Sequence, residues 1–402
     1  MEGSVLDPEL YRGDPHPTFS WLRRHDPVAW DDDYKIWVVS RYEDVVHVSK
    51  NPQTFCSGRG VLPRTTHGER MISIATVDEP RHGALRHLVN RGFTPRMVSR
   101  LEPRIREYAK RSVDAVAERG ECDFVEDLAL DLPLMVIADM IGIRREDRAR
   151  FHEWSDTMIA AGGGITGPEV MVRAATAFGE YAAYLSDVFQ DRRRHPRDDL
   201  VSALVAAFDE GLLEAGGEEA ANDELLQFMT LLLVAGNETT RNALSGAMIA
   251  LIEHPEERRK FVENPDLAPL LTEEILRWVS PVTNFARTLT RDTELRGRRL
   301  REGDQVLLLY PSANRDEAQF CEAHRFVADR RPNPHVAFGI GNHFCLGANL
   351  ARLEIRIMLN ELLRLLPDVD FAPGAGPEYA PSAFVRGIVH LPIVFTPESK
   401  RA

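Results

Sequence analysis

Cysteine is scarce: the 402 residues hold four, Cys56, Cys122, Cys321 and Cys345. They stand far apart with no Cys-x-x-Cys pair, which excludes a disulfide framework, a cysteine-held iron–sulfur cluster and a closed structural zinc site. Basic charge is in deficit, 49 Lys and Arg against 62 Asp and Glu for a net charge of −13. No large cationic face is therefore left for nucleic acid or an anionic membrane surface. Long apolar runs are missing too. "LLLVAG" is short, and Gln227 and Thr230 interrupt its flank, so no membrane span is expected. The start "MEGSVLDPELYRGDPHP" has no cationic segment leading into an apolar one, so neither signal peptide nor anchor is expected and the cytoplasm is the expected location. A glycine-rich dinucleotide motif, a flavin segment, internal repeats and low-complexity linkers are all absent.

What is present is a globular composition, 44% hydrophobic and 28% charged, sufficient for a large core. Length alone suggests two or three domains, but no composition break marks a boundary. One domain over 1–402 is expected. "PVAWDDDYKIWVVS" reads as two strands around the turn Asp31–Asp33, and "YEDVVHVSKNP" as a helix ended by Pro52. From about Pro103 to Leu276 the period is helical, broken near 160–169, 192–199 and 209–224. After Val279, "NFARTLT", "TELRGRRL", "DQVLLLY" and the closing "GIVHLPIVF" read as strands. The expected fold is mostly α with small β-sheets: a helical body at about 80–278 and 348–366, and β regions at about 27–40, 284–310 and 384–395.

Two stretches carry chemistry. Asn222 or Asp223 caps a helix that Pro255 stops, roughly 30 residues or about 45 Å long. At its centre lies "AGNETT", residues 235–240. Gly236 costs about 1 kcal/mol against alanine there, and Thr239 bonds back to the preceding turn. Either Gly236 admits a neighbouring helix, or a ligand lies against Ala235 and Gly236 with Glu238 and Thr239 as a short proton path. Residues alone leave both readings open. In "AFGIGNHFCLGANLARLE", residues 337–354, a loop holding Cys345 runs into a helix N-terminus, whose N–H groups and dipole favour a thiolate. Gly339, Gly341 and Gly347 give the backbone around the thiol a freedom that a Cβ would remove.

"FGIGNHFCLG", "AGNETT", "EILR" at 274–277 and "DEPRHGALR" at 78–86 occur in the order and approximate spacing of a bacterial cytochrome P450, which this chain resembles over essentially its whole length. The cysteine signature is specific and the others are weak alone. The resemblance implies the triangular cytochrome P450 fold with haem b between a long central helix and the cysteine loop. It implies Cys345 as the iron ligand, with Ala235, Gly236, Phe338, Gly339 and Gly347 against the macrocycle and His82, Arg86, Arg287 and His343 on its propionates. Glu274, Arg277 and Arg330 are implied as a buried structural network.

The implied reaction inserts one oxygen atom of O2 into a C–H bond and releases the other as water, with Thr239 and Glu238 delivering protons. Electrons are implied to come from separate proteins, a ferredoxin and its reductase. Arg352 and Arg356 are either a docking spot for them or ordinary surface arginines. The implied pocket, drawn from Val61, Leu62, Met71, Ile72, Ile74, Met158, Ile159, Val234, Val282, Phe285, Phe384 and Val385, is apolar and suits a hydrophobic substrate. "ECDFVEDLALDLPLMVIADMIG" and "SANRDEAQFCEAHRF" look most like bacterial members that oxidise sterol side chains and branched lipids. Steroid side-chain hydroxylation is therefore expected, with polyketide, terpene or fatty-acid hydroxylation as the alternative. A non-catalytic haem-binding or gas-sensing module would carry an output domain and need no Glu238 beside Thr239. A zinc site on His335, His343 and Cys345 lacks a fourth ligand.

Overall fold

The computed structural model describes residues 3–63, 73–162, 168–197, 199–209 and 218–400. In chain order the elements are α1 (His16–His25), β1 (Val28–Asp31), β2 (Ile36–Val39), α2 (Tyr42–Lys50), β3 (Phe55–Cys56), α3 (Arg81–Asn90), α4 (Pro95–Val116), β4 (Glu121–Asp123), α5 (Asp131–Ile141), α6 (Arg148–Gly162) and α7 (Pro168–Arg194). They continue with α8 (Leu200–Asp209), α9 (Glu218–Glu253), α10 (Pro255–Glu263), α11 (Ala268–Val279), β5 (Asn284–Leu289), β6 (Thr293–Leu295), β7 (Arg298–Leu300) and β8 (Gln305–Leu309). The chain closes with α12 (Tyr310–Ala313), α13 (Ala348–Leu365), β9 (Asp370–Phe371), β10 (Glu378–Tyr379), β11 (Ile388–His390) and β12 (Pro392–Val394). The fold is mostly helical with small sheets, as expected.

Several boundaries differ from the sequence reading, each for a local reason. The helical region begins before Pro103, because Thr94 caps α4 by accepting the Met97 N–H at 3.2 Å and Pro95 suits the first turn. Pro103 sits inside α4, whose packing against α13 and α5 offsets the missing N–H. "TELRGRRL" is a hairpin of β6 and β7, turned at Arg296 and Gly297, both with positive φ. "GIVHLPIVF" divides at Leu391 into β11 and β12, which join different sheets. The helix expected from 223 begins at Glu218.

The main sheet has the order β1-β2-β8-β5-β3, with β2 parallel to β8 and the other pairs antiparallel. Separate apolar clusters pack against it, one around Val306 and Leu308 and another around Val38 and Leu307, as period-two alternation requires. The largest core is helical and gathers α4, α5, α9, α11 and α13. Through it runs α9, tied to α6 by the Asn237 amide on Ser155 Oγ at 3.4 Å and to β11 by Asn242 Oδ1 accepting the Ile388 N–H at 2.9 Å. Among the described residues no helix is long and apolar enough to cross a membrane.

Behind the cysteine loop lies a buried ionic network. Glu274 and Arg277 are 0% exposed. Their carboxylate and guanidinium meet at 2.7 and 2.8 Å, and Arg330 Nε reaches both Glu274 oxygens at 3.0 and 3.1 Å. Arg277 also donates to the carbonyls of Asn314, Ala323 and Arg325, each at 2.9 Å. The network fixes α11 to the segment that leads into the loop.

Candidate active site

α3, α9, β5 and the loop before α13 enclose a mostly apolar cavity of about 290 Å3. One stripe of α9 forms a wall: Phe228, Leu231, Leu232, Ala235, Thr239 and Ala243, spaced three or four residues apart and so on one helical face. Thr239 Oγ1 donates to the Ala235 carbonyl at 2.7 Å. Gly236 serves both readings open in the sequence. It lines the cavity, and a Cβ there would stand 3.0 Å from Ile137 Cδ1 of α5.

Facing that wall, Cys345 opens onto the cavity while lying deep within the protein. Its N–H donates to the Phe338 carbonyl at 2.9 Å, and its sulfur accepts from the backbone of Gly347 and Ala348. Burial nevertheless pushes the thiol up from its ordinary range, against those bonds and the charges of Arg86 and Arg352. Desolvation and the backbone donors of the helix N-terminus thus act on the Cys345 thiol in opposite directions.

A cluster of nitrogen-bearing side chains borders the same cavity. His82 and Arg86, four residues apart on α3, join Arg287 of β5 and His343 of the loop, and the rings of His82 and His343 lie 4.2 Å apart. His82 Nδ1 meets Glu79 at 3.2 Å, but among the described residues its buried Nε2 has no partner. Burial, then the charges of Arg287, His82 and Arg86, take His343 down to about 3. Burial also lowers Arg86, and among the described residues Arg287 donates only to the adjacent Ala286 carbonyl, at 2.8 Å. Among the described residues no carboxylate pairs with Arg86, Arg287 or His343. Buried cations without counter-charge are costly, so this cradle fits a bound group with anionic arms.

Of the residues expected from sequence, His82, Arg86, Ala235, Gly236, Thr239, Arg287, Phe338, Gly339, His343, Cys345 and Gly347 all line the cavity. Glu238 does not. It lies half-buried on the flank of α9, its carboxyl raised by burial despite Arg241. Val61, Ile74, Val282 and Phe285 line the wall, whereas Leu62, Met158, Val234, Phe384 and Val385 do not. Phe384 packs on Phe285 from behind, with ring centroids 5.4 Å apart. Met71 and Ile72 lie outside the described residues, as does the side chain of Ile159.

Gly341 has a reason beyond the backbone freedom expected. Its φ is +84°, a Cβ would stand 2.6 Å from the Ser49 carbonyl, and it does not touch the cavity. Arg352 is no free docking charge. It holds Glu273 at 2.6 and 2.9 Å and covers the Phe338 ring at 4.7 Å. Burial raises the Glu273 carboxyl, but the bonds from His335 and Arg352 outweigh it and hold it at about 2. His335 is thereby engaged, and among the described residues no group of three or more His, Cys, Asp or Glu could hold a metal ion.

Sequence reasoning missed Phe93, Ile137, Tyr310 and Glu354 in the cavity wall. Glu354 had a readable signal, an acid on the otherwise apolar face of α13 formed by Leu350, Leu353 and Ile357. Burial pushes it up to about 8, and among the described residues its Oε2 has no partner.

An apolar chamber closed on one side by a deep cysteine and a cradle of cations defines a class: a cofactor enzyme acting on hydrophobic molecules. The comparisons make the family definite. A family model described as Cytochrome P450 matches residues 265–379. The Steroid C26-monooxygenase of Mycolicibacterium smegmatis is 39% identical over 387 residues, 96% of this chain and 94% of the relative. The Methyl-branched lipid omega-hydroxylase of Mycobacterium bovis is 39% identical over 420 residues, covering 98% and 92%. The crystal structure of CYP109E1 from Bacillus megaterium in complex with testosterone superposes with a TM-score of 0.85 at 33% identity, covering 96% of this chain and 100% of that one. The chain belongs to the cytochrome P450 family and is a haem-dependent monooxygenase of hydrophobic substrates.

Proposed function

We propose that this protein hydroxylates the side chain of a steroid or sterol, or the end of a methyl-branched lipid. The observation that carries the reading is the chamber itself, apolar along the α9 stripe and closed by Cys345 and its cations. Relatives named for steroid and branched-lipid hydroxylation support the substrate class, and so does a structural neighbour with testosterone bound.

Cys345 would hold haem b through its thiolate, with His82, Arg86, Arg287 and His343 placed to meet its propionates and Ala235, Gly236, Phe338, Gly339 and Gly347 lining the space it would fill. When bound, it supplies the activation of O2 that puts one oxygen atom into the substrate. The Gly347 and Ala348 N–H groups stabilise charge on the Cys345 sulfur. Thr239 spends its hydroxyl proton on the Ala235 carbonyl, which leaves its oxygen free to accept a hydrogen bond from a water and orient it. Glu238, raised by burial, exchanges protons with solvent from the flank of α9 and passes them toward Thr239. The apolar wall excludes bulk water from the rest of the chamber.

Two electrons per turnover come from a separate ferredoxin and its reductase, the cytoplasm is the working compartment, and residues 1–402 act as one catalytic domain. Incubation of the reconstituted enzyme with a panel of steroids, branched lipids, fatty acids and macrolides tests the reading. A side-chain alcohol on a steroid or a terminal alcohol on a branched lipid is the expected product by mass spectrometry. Exclusive oxidation of macrolides or straight-chain acids would refute the substrate class.

A further inference from the structure

A second, smaller pocket lies beside the main cavity and shares Ile74 and Phe228 with it. Its polar wall is Ser73 together with Glu224 and Gln227 of α9. Ser73 is engaged locally, its Oγ accepting the Ala75 N–H at 3.3 Å. Glu224 is only half engaged. Its Oε1 is paired with the Arg81 guanidinium of α3, while its Oε2 is buried and, among the described residues, has no hydrogen-bond partner. A buried acceptor without a donor is unfavourable, and a ligand that brings the donor recovers the difference.

Size limits what enters. About 30 Å3 admits one water-sized group and no ring, so the pocket takes the tip of a molecule whose body lies in the main cavity. Position limits it further. Glu224 and Thr239 are separated by about four turns of α9, about 22 Å along its axis, so the tip and the oxidised carbon belong to opposite ends of a long molecule. Chemistry limits it again, because a carboxylate accepts hydrogen bonds and cannot donate them. An alcohol satisfies Oε2, whereas a ketone, which the Gln227 amide could meet, brings no donor for Oε2, and a hydrocarbon leaves both groups unpaired.

We infer that Glu224, beside Gln227, forms a subsite for the ring hydroxyl of a hydroxysteroid, at the end of the molecule remote from the carbon that is oxidised. The inference rests on the steroid reading above and adds to it the oxidation state of the far end.

The test titrates the ferric holoenzyme with three sterols of one skeleton and one side chain, carrying at the far ring a hydroxyl, a ketone or hydrogen only. Binding is followed by the haem absorption shift and, independently, by equilibrium dialysis. The alcohol is expected to bind about tenfold more tightly than the ketone. Glu224→Gln, whose amide can donate to a ketone, is expected to bring the ratio to about one or invert it. Should that variant not fold, Glu224→Asp withdraws the carboxylate by one methylene and is expected to lose the same preference. Equal affinities in the wild type, or a ratio that a folded variant leaves unchanged, overturn the subsite and leave the steroid reading intact. If none of the three sterols binds while a branched fatty acid does, the steroid reading falls and the subsite with it.

Discussion

Glu274→Gln removes one charge from a place where nothing can replace it. Both oxygens of Glu274 are fully used: Oε1 accepts from Arg277, Arg330 and the Val327 N–H, and Oε2 from Arg277, Arg330 and Asn333, all between 2.7 and 3.1 Å. The glutamine amide keeps the shape but turns a donor toward two guanidinium groups and leaves them buried without counter-charge. Breaking a buried pair from one side costs about 3 to 5 kcal/mol, a large share of a native stability of about 5 to 15 kcal/mol. The other half of the pair is no easier to replace. Arg277→Lys supplies a point charge that cannot span the carbonyls of Asn314, Ala323 and Arg325. Urea unfolding at matched haem concentration measures the loss as a shift in midpoint at constant slope, and haem content per chain reports whether the cysteine loop still forms. A Glu274→Gln protein within about 1 kcal/mol of wild type, with full haem content, would refute the view that this network holds the loop in place.

Thr239→Ala removes the hydroxyl that orients water in the proposed proton path, so electron consumption is expected to continue while product falls and peroxide rises; unchanged coupling would remove Thr239 from that path. Arg287→Leu deletes one charged partner of the proposed cofactor carboxylates, each charge-assisted bond contributing about 1.5 to 3 kcal/mol, so haem transfer to a scavenger globin should accelerate at least about tenfold, and an unaltered rate would count against the cradle. His152 is held up to about 10 by Asp131 first and then Asp156, at 3.6 and 2.9 Å. Its folded pKa lies above its unfolded value of about 6.5, so its contribution is fully present below pH 6.5 and is lost as pH rises through about 10. Stability should decline across that window, and His152→Gln should flatten the decline; identical slopes would contradict the assignment.

Much of the site was legible because its chemistry is local in sequence. Cys345 with its following helix and the Ala235 to Thr239 face of α9 depend on short spacings that are readable in the sequence, whereas the His82 and Arg86 pair, four residues apart, was named through the family resemblance and not from periodicity. The α9 stripe continuing through Phe228, Leu231 and Leu232 was equally readable, being the same period extended two turns. What could not be read is what neighbours demand across space. Gly341 is glycine because the Ser49 carbonyl of α2 lies against it, and nothing near 341 announces residue 49. Arg352 has an ordinary surface spacing, yet Glu273 of α11 claims it. Glu238 shares a motif with Thr239 but lies about 100° around the helix, so motif membership did not place it in the wall. Short strands were the weakest part. β4 and the division of β11 from β12 arise from pairing with distant partners rather than from local propensity.

The central claim is that Cys345, across the chamber from Thr239, is the axial thiolate of a haem. The absorption spectrum of the dithionite-reduced, CO-treated protein tests it most directly. The wild type is predicted to give the strongly red-shifted Soret band of thiolate-ligated haem, and Cys345→Ser to lose that band while still binding haem in the cradle. A wild type without the band, or a Cys345→Ser protein that keeps it, would contradict the account.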